Sequence, residues 1–276
     1  GELVEHEWRD FGYNRTKALE AAYNKTDYLL IFDADDKIFG NFKLPNELTA
    51  DQYKLVFGKG FTYDRTLLIN NRKKFRFVGV LHEYIEIISP SKVNREERIT
   101  GDYYLESGRT GNRSANPKKY INDANILRKA FHKTLKSDYA LACRYAFYCA
   151  QSYKDSGSEY IDDAIDWYLK CLELNNWVQE KYYACLLVGD LYEKKNNMKN
   201  ALKYWLKTIE YDPERIEGII NATTYLRKNN EHQKVNELYS KYKNYNNNLK
   251  GKLFLFQNKY DNMELEFENS ISAFYL

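Results

Sequence analysis

Apolar positions run through this chain in two rhythms, and the change between them comes near Pro117. Before it, short apolar runs alternate with one helical stretch. Glu2–His6 reads as a short strand. Asn14–Tyr23 reads as a helix, with Ala18, Leu19 and Ala22 at helical spacing. Tyr28–Phe32 is a short continuous apolar run, and its length argues for a buried strand. Gln52–Phe57, Thr66–Asn70 and Val80–Ile88 are further strands, and Gly101–Ser114, polar with glycines at 101, 108 and 111, reads as a loop or junction. After it the pattern is helix upon helix: from Pro117 to Phe131 with Asn116 as N-cap, then near 138–154, 160–173, 178–194, 198–210, 214–228 and 231–245. The order predicts an α/β sheet domain over residues 1–114, an all-α domain over 115–250 and a tail over 251–276.

The helices contain a repeat. Gly189, Tyr192, Ala201, Trp205 and Pro213 fall at offsets 0, 3, 12, 16 and 24. Small residues let two antiparallel helices approach, aromatics fill the gap, and proline ends the pair. This is the spacing of a tetratricopeptide unit. A looser copy precedes it at Ala150, Tyr153, Ala164 and Tyr168, and a degenerate one follows near Ala222 and Tyr225.

Composition narrows the picture in three places. The 42 basic and 39 acidic residues leave a net charge of +3, which gives no general electrostatic reason to bind nucleic acid or an anionic membrane. Cys143, Cys149, Cys171 and Cys185 match no zinc spacing. They are expected as reduced thiols in a helical core, and with them a reducing, cytoplasmic setting. No run of 18 apolar residues occurs, so no transmembrane helix is expected.

Two clusters carry candidate chemistry. Tyr28-Leu-Leu-Ile-Phe-Asp-Ala-Asp-Asp36 ends an apolar strand in three carboxylates. In an extended backbone Asp33 and Asp35 would point to the same side, beyond the strand end where α/β sheets bind ligands. Converging carboxylates repel unless a hard divalent cation lies between them, held with substrate phosphates. The second cluster is Phe77-Val-Gly-Val-Leu-His-Glu-Tyr-Ile85, where a charged pair interrupts an apolar run. His82 can ligate a metal and Glu83 can take a proton. Neighbouring side chains of a strand face opposite sides, so the strand is expected to break near His82 if both serve one cleft.

The segments Glu2–Ala22 and Asp27–Asp36 resemble family 2 glycosyltransferases of the GT-A fold. Those enzymes carry an Asn-Arg or Arg-Asn pair opening a helix, as in Asn14-Arg15, and then a strand ending in Asp-x-Asp. A subset with helical-repeat tails shows Gly-x-x-His-Glu, matched by Gly79–Glu83. It also shows a loop like Gly108–Ser114, then Pro-x-Lys-Tyr-x-x-Asp, matched by Pro117–Asp123. Arg144–Asp155 and Asp212–Glu217 match as well. The resemblance implies a partial, Rossmann-like GT-A sheet followed by tetratricopeptide-like repeats. It implies metal-dependent, inverting transfer of a sugar from a nucleotide-sugar donor, UDP-linked, to a protein or glycan acceptor. Asp33 would contact the ribose, Asp35 the Mn²⁺ or Mg²⁺, and Arg15 would sit near the base. Glu83 would be the general base and His82 a metal or diphosphate ligand. Arg109 and Arg113 would clamp the diphosphate from a glycine-hinged loop.

The same resemblance implies that the chain opens roughly 60 residues into the domain, about two βα units. An N-terminal segment, another chain or a second copy would then complete the sheet. The alternative is a non-catalytic helical-repeat scaffold on a remnant domain. A metal-dependent nuclease or phosphatase is a third reading, for which the residues offer no second metal cluster.

Overall fold

The computed structural model describes residues 3–59, 61–88, 94–108, 110–111, 113, 115–174, 177–245, 252, 255–256 and 262–276. A mixed sheet comes first and helices follow, the order that the two rhythms predict. The chain divides into two compact units, residues 1–133 and 134–276. No helix among the described residues is long and apolar enough to cross a membrane.

In the first unit, helix α1 (Phe11–Ala22) is capped by Asp10, whose side chain accepts from the Tyr13 backbone N–H at 2.7 Å. The sheet has strand order β1 (Tyr28–Leu30), β4 (Phe61–Asn70), β3 (Gln52–Phe57), β8 (Tyr103–Ser107) and β2 (Asp36–Gly40). β3 pairs parallel with β8 and with the short β7 (Glu96–Arg98), and the other neighbours are antiparallel. β5 (Phe75–Val78) and β6 (Tyr84–Ile87) form a separate hairpin, and α2 (Lys119–Thr134) closes the unit. Alternation along β3 and β8 makes most of the core: Tyr53, Leu55 and Phe57 are buried with Tyr103 and Leu105, and the adjacent Leu67 and Leu68 of β4 join them where the β3–β4 register shifts.

Three expectations are corrected here. Residues 3–10 form no strand, and Trp8 is exposed. The 28–32 strand is only three residues long and lies at the end of the strand order, so Leu30 and Phe32 are exposed rather than buried. Within the expected loop 101–114 lies β8, an inner strand of the sheet. Its alternation (Tyr103 and Leu105 in, Tyr104 and Glu106 out) was masked by flanking glycines and polar residues.

The second unit is a run of helices: α3 (Tyr139–Ser156), α4 (Ile161–Glu173), α5 (Val178–Lys194), α6 (Met198–Tyr211), α7 (Glu217–Lys228), α8 (His232–Tyr242) and α9 (Asn262–Ala273). Each packs on its sequence neighbour, as stacked hairpins do. Asn196 and Asn230 take left-handed backbone angles (φ 54° and 60°) in the turns between α5 and α6 and between α7 and α8. The α9 residue Leu265 is buried with Ile216, Ile219 and Ile220, so the expected tail packs on the helices. All four cysteines are buried and none is in a disulfide, and burial pushes the Cys185 thiol up to about 12.

The segment Asp212–Glu217 builds a buried polar network. Arg215, wholly buried, bonds Glu217 at 2.6 Å and lies 3.9 Å from the Tyr182 ring centroid. The Tyr182 hydroxyl donates to the other Glu217 oxygen at 2.7 Å, and Gln179 donates to Asp212 at 2.9 Å. A buried charge needs its partners in this way.

Candidate functional site

Helix α1 presents Gly12, Arg15 and Thr16 on one face, at i, i+3 and i+4, and that face docks on the β5–β6 hairpin. The Gly12 N–H donates to the Gly79 carbonyl at 3.1 Å. A Cβ on Gly12 would lie 2.5 Å from that oxygen, so only glycine permits the approach. Gly79 itself has φ +116°, which favours glycine again. One turn on, the Phe77 N–H donates to the Thr16 hydroxyl at 2.9 Å.

These contacts fix Arg15, whose guanidinium lies 5.2 Å from the Phe77 ring centroid. Its Nη1 donates to Glu83 Oε1 at 3.0 Å and its Nη2 to Asp33 Oδ1. A helix, an acidic turn and a hairpin loop thus meet through one guanidinium. Burial lowers the Arg15 pKa from its ordinary value, and Glu83 opposes that shift. The side chains of Arg15 and Glu83 are 22% and 12% exposed, so this pair is better shielded from solvent than a surface salt bridge.

Asp33 and Asp35 do not share an extended backbone. The Asp36 N–H donates to the Asp33 carbonyl at 3.0 Å, closing a turn that sends the chain into β2. Asp33 goes to Arg15. Asp35 is held by the segment after β8: its Oδ2 accepts from Thr110 N at 2.9 Å and its carbonyl from Gly108 N at 2.8 Å. The strand does break at His82, which is exposed with φ 52° in the loop joining β5 and β6. Among the described residues no three His, Cys, Asp or Glu side chains are grouped to hold a metal. Arg113 pairs with Asp123 of α2 and lies over the Phe11 ring, so its guanidinium already has a carboxylate. Arg109 lies outside the described residues.

Sequence reasoning passed over Asp36 and Arg65. Asp36 is 7% exposed, and among the described residues its Oδ1 has no hydrogen-bond partner. Burial raises its pKa first, Asp35 adds to the rise, and Arg65, Ser107 and Arg15 oppose it. Asp36 was the third acid of the cluster, but the two-residue spacing drew attention to its neighbours. Arg65 on β4 carried no signal beyond a charge within an apolar strand.

The raised Asp36 pKa has a testable sign. A carboxyl that titrates higher when folded adds stability below its unfolded value of about 3.9, and that stability is lost as pH rises through the folded value. Asp36→Asn is therefore expected to exceed the wild type in stability near neutral pH and to lose that advantage in acid. Thermal unfolding from about pH 4 to 8 measures this. A variant less stable at neutral pH would show that the fold needs the ionised carboxylate.

A cleft of about 620 Å³, lined by Asp27, Tyr28, Leu48, Asn70 and Arg72 among others, lies at the other end of β1 from Asp33. Arg72 is already tied to Asp27 and Asn24 there, and no residue of the acidic turn lines it. No family model matches this chain, and no curated protein matches it either.

Proposed function

We propose that this chain is a metal-dependent glycosyltransferase that moves a sugar from a nucleotide donor to an acceptor hydroxyl or similar nucleophile. The observation that carries the reading is the Arg15 bridge. It joins Asp33 and Glu83, two residues singled out for donor and acceptor roles 50 positions apart in sequence.

The charge balance supports a cation. Asp33, Asp35, Asp36 and Glu83 stand against Arg15 and Arg65, so four carboxylates face two guanidiniums and two negative charges are left over when all are ionised. Since no three side chains gather as ligands among the described residues, Asp35 would hold a Mn²⁺ or Mg²⁺ ion with the donor's phosphates completing the shell. When bound, such an ion stabilises the charge on a departing diphosphate as a Lewis acid.

The chain's own residues supply the rest. Asp33 is exposed enough, at 41% of its side chain, to exchange Arg15 for a ribose hydroxyl. Glu83 engages Arg15 through Oε1, which leaves Oε2 to take the proton from the attacking hydroxyl. The new glycosidic bond then forms opposite the breaking bond to the diphosphate, with inversion. Gly108 and Thr110 hold Asp35 in place through their N–H groups.

The test is release of UDP from a panel of UDP-sugars, with Mn²⁺ present, against glycan and peptide acceptors. Release that depends on the protein and stops with chelator is expected. Protein-dependent release undiminished by chelator would refute the metal, and no release from any donor would refute the reading.

A further inference from the structure

Arg65 and Asp36 lie on one face of the sheet. Register pairs Leu55 with Arg65, Phe57 with both Tyr63 and Leu105, and Ser107 with Asp36. Paired residues share a face, and so do residues two apart. Arg65, Phe57, Leu105, Ser107 and Asp36 therefore form one row across β4, β3, β8 and β2.

Both ends of that row are incomplete. The Arg65 guanidinium lies 4.7 Å from the Phe57 ring centroid. Among the described residues no carboxylate comes within salt-bridge distance of it, although the side chain is half-buried. A buried or half-buried guanidinium ordinarily finds a carboxylate or other acceptor. At the other end, Asp36 is held by Ser107 yet keeps Oδ1 without a donor at 7% exposure. A ligand hydroxyl can supply the missing donor. The two charges attract one another, and Arg65 also repels Arg15, which places the row beside the Arg15 cluster. An acid lacking a donor and a guanidinium lacking an acceptor, near but not touching, suit one molecule that carries both a hydroxyl and an anion.

We infer that Arg65 and Asp36 flank a subsite for a hydroxyl-bearing phosphate ester, Arg65 taking a phosphate oxygen and Asp36 Oδ1 accepting from a hydroxyl of the same ligand. This deepens the donor-binding reading and rests on it for the ligand's identity. The planar fork of arginine suits two phosphate oxygens at once, which a lysine cannot match.

Calorimetric titration of the full chain with UDP, inorganic pyrophosphate and uridine, each with Mn²⁺, tests it. Arg65→Met is expected to weaken UDP and pyrophosphate by about 10-fold or more and to leave uridine unchanged. Arg65→Lys should recover part of the loss and guards against a misfolded Met variant. Asp36→Asn should weaken UDP more than pyrophosphate, which has no hydroxyl. Arg65→Met should also melt within a few degrees of the wild type, since among the described residues Arg65 makes no salt bridge and the Met side chain can still cover Phe57. Unchanged UDP affinity in both Arg65 variants, with wild-type binding intact, would overturn the inference and spare the reading. Pyrophosphate binding that needs Arg65, in a chain indifferent to UDP, would overturn the nucleotide reading and keep Arg65 as a phosphate residue. A folded Arg65→Met that melts far lower would make the guanidinium a structural partner of Phe57 and Asp36, and binding of none of the three probes by the wild type would end both ideas.

Discussion

Glu83→Gln is expected to lower turnover by roughly 10²–10⁴-fold, the usual contribution of a general base. The substitution is nearly isosteric. Its amide oxygen can still accept from Arg15 Nη1, which now bonds Glu83 Oε1 at 3.0 Å, so the bridge to Asp33 should survive. What is lost is a group that can take a proton. Affinity for UDP should barely change, because a base acts on the acceptor. Steady-state rates with any donor the wild type turns over, set beside UDP titrations, separate the two effects. If Glu83 only anchors Arg15, the result is different: turnover stays near wild type while thermal stability falls.

Trp205→Ala is expected to cost the helical unit about 3–5 kcal/mol. Trp205 is 1% exposed on α6, and its indole N–H donates to Asp190 at 2.7 Å. Its ring lies 5.6 Å from that of Tyr225 on α7. On α5 it covers Gly189, where an added Cβ would meet the indole at 2.3 Å. Truncation opens a cavity among three helices and removes one of the donors to Asp190, which Asn221 also meets at 3.1 Å. For a unit of this size the melting temperature should fall on the order of 10–20 °C. Gly189→Ala approaches the same contact from the other side. It should destabilise too, since the indole is a rigid ring with little room to move. A drop of about 1 kcal/mol or less in Trp205→Ala would show that the small-to-large contact is not what joins these helices.

The helical half was the more legible because its signals are local. Each helix spans several turns of period 3.6, and the 0, 3, 12, 16, 24 spacing led directly to Gly189 and Trp205. Tyr192, expected with Trp205 between the two helices, is half-buried there and stacks on Tyr204 of α6 at 5.7 Å. Offsets fix a helix face, but not which of two adjacent aromatics will fill a gap.

The sheet was harder to read, because pairing partners lie far apart in sequence. β8 was hidden between glycines, and the apolar run at 28–32 reads as a buried strand by composition alone, although its place at the end of the strand order exposes Leu30 and Phe32. The acidic turn was visible as chemistry, but its shape was not. Whether Asp33-Ala-Asp-Asp36 continues a strand or reverses depends on the hydrogen bond from Asp36 N to Asp33 O, and that bond depends on β2 finding β8. The link between Asp36 and Arg65 was invisible for the same reason: their row exists only once four strands are in register.

A glycosyltransferase of this kind must hold a nucleoside diphosphate together with a cation at the corner of Arg15, Asp33 and Asp35. Calorimetric titration of the wild-type chain with UDP, with and without Mn²⁺, measures this most directly. Saturable binding of one UDP per chain that requires Mn²⁺ and disappears with chelator is expected. UDP binding of equal strength without metal, or no binding in either condition, would contradict it.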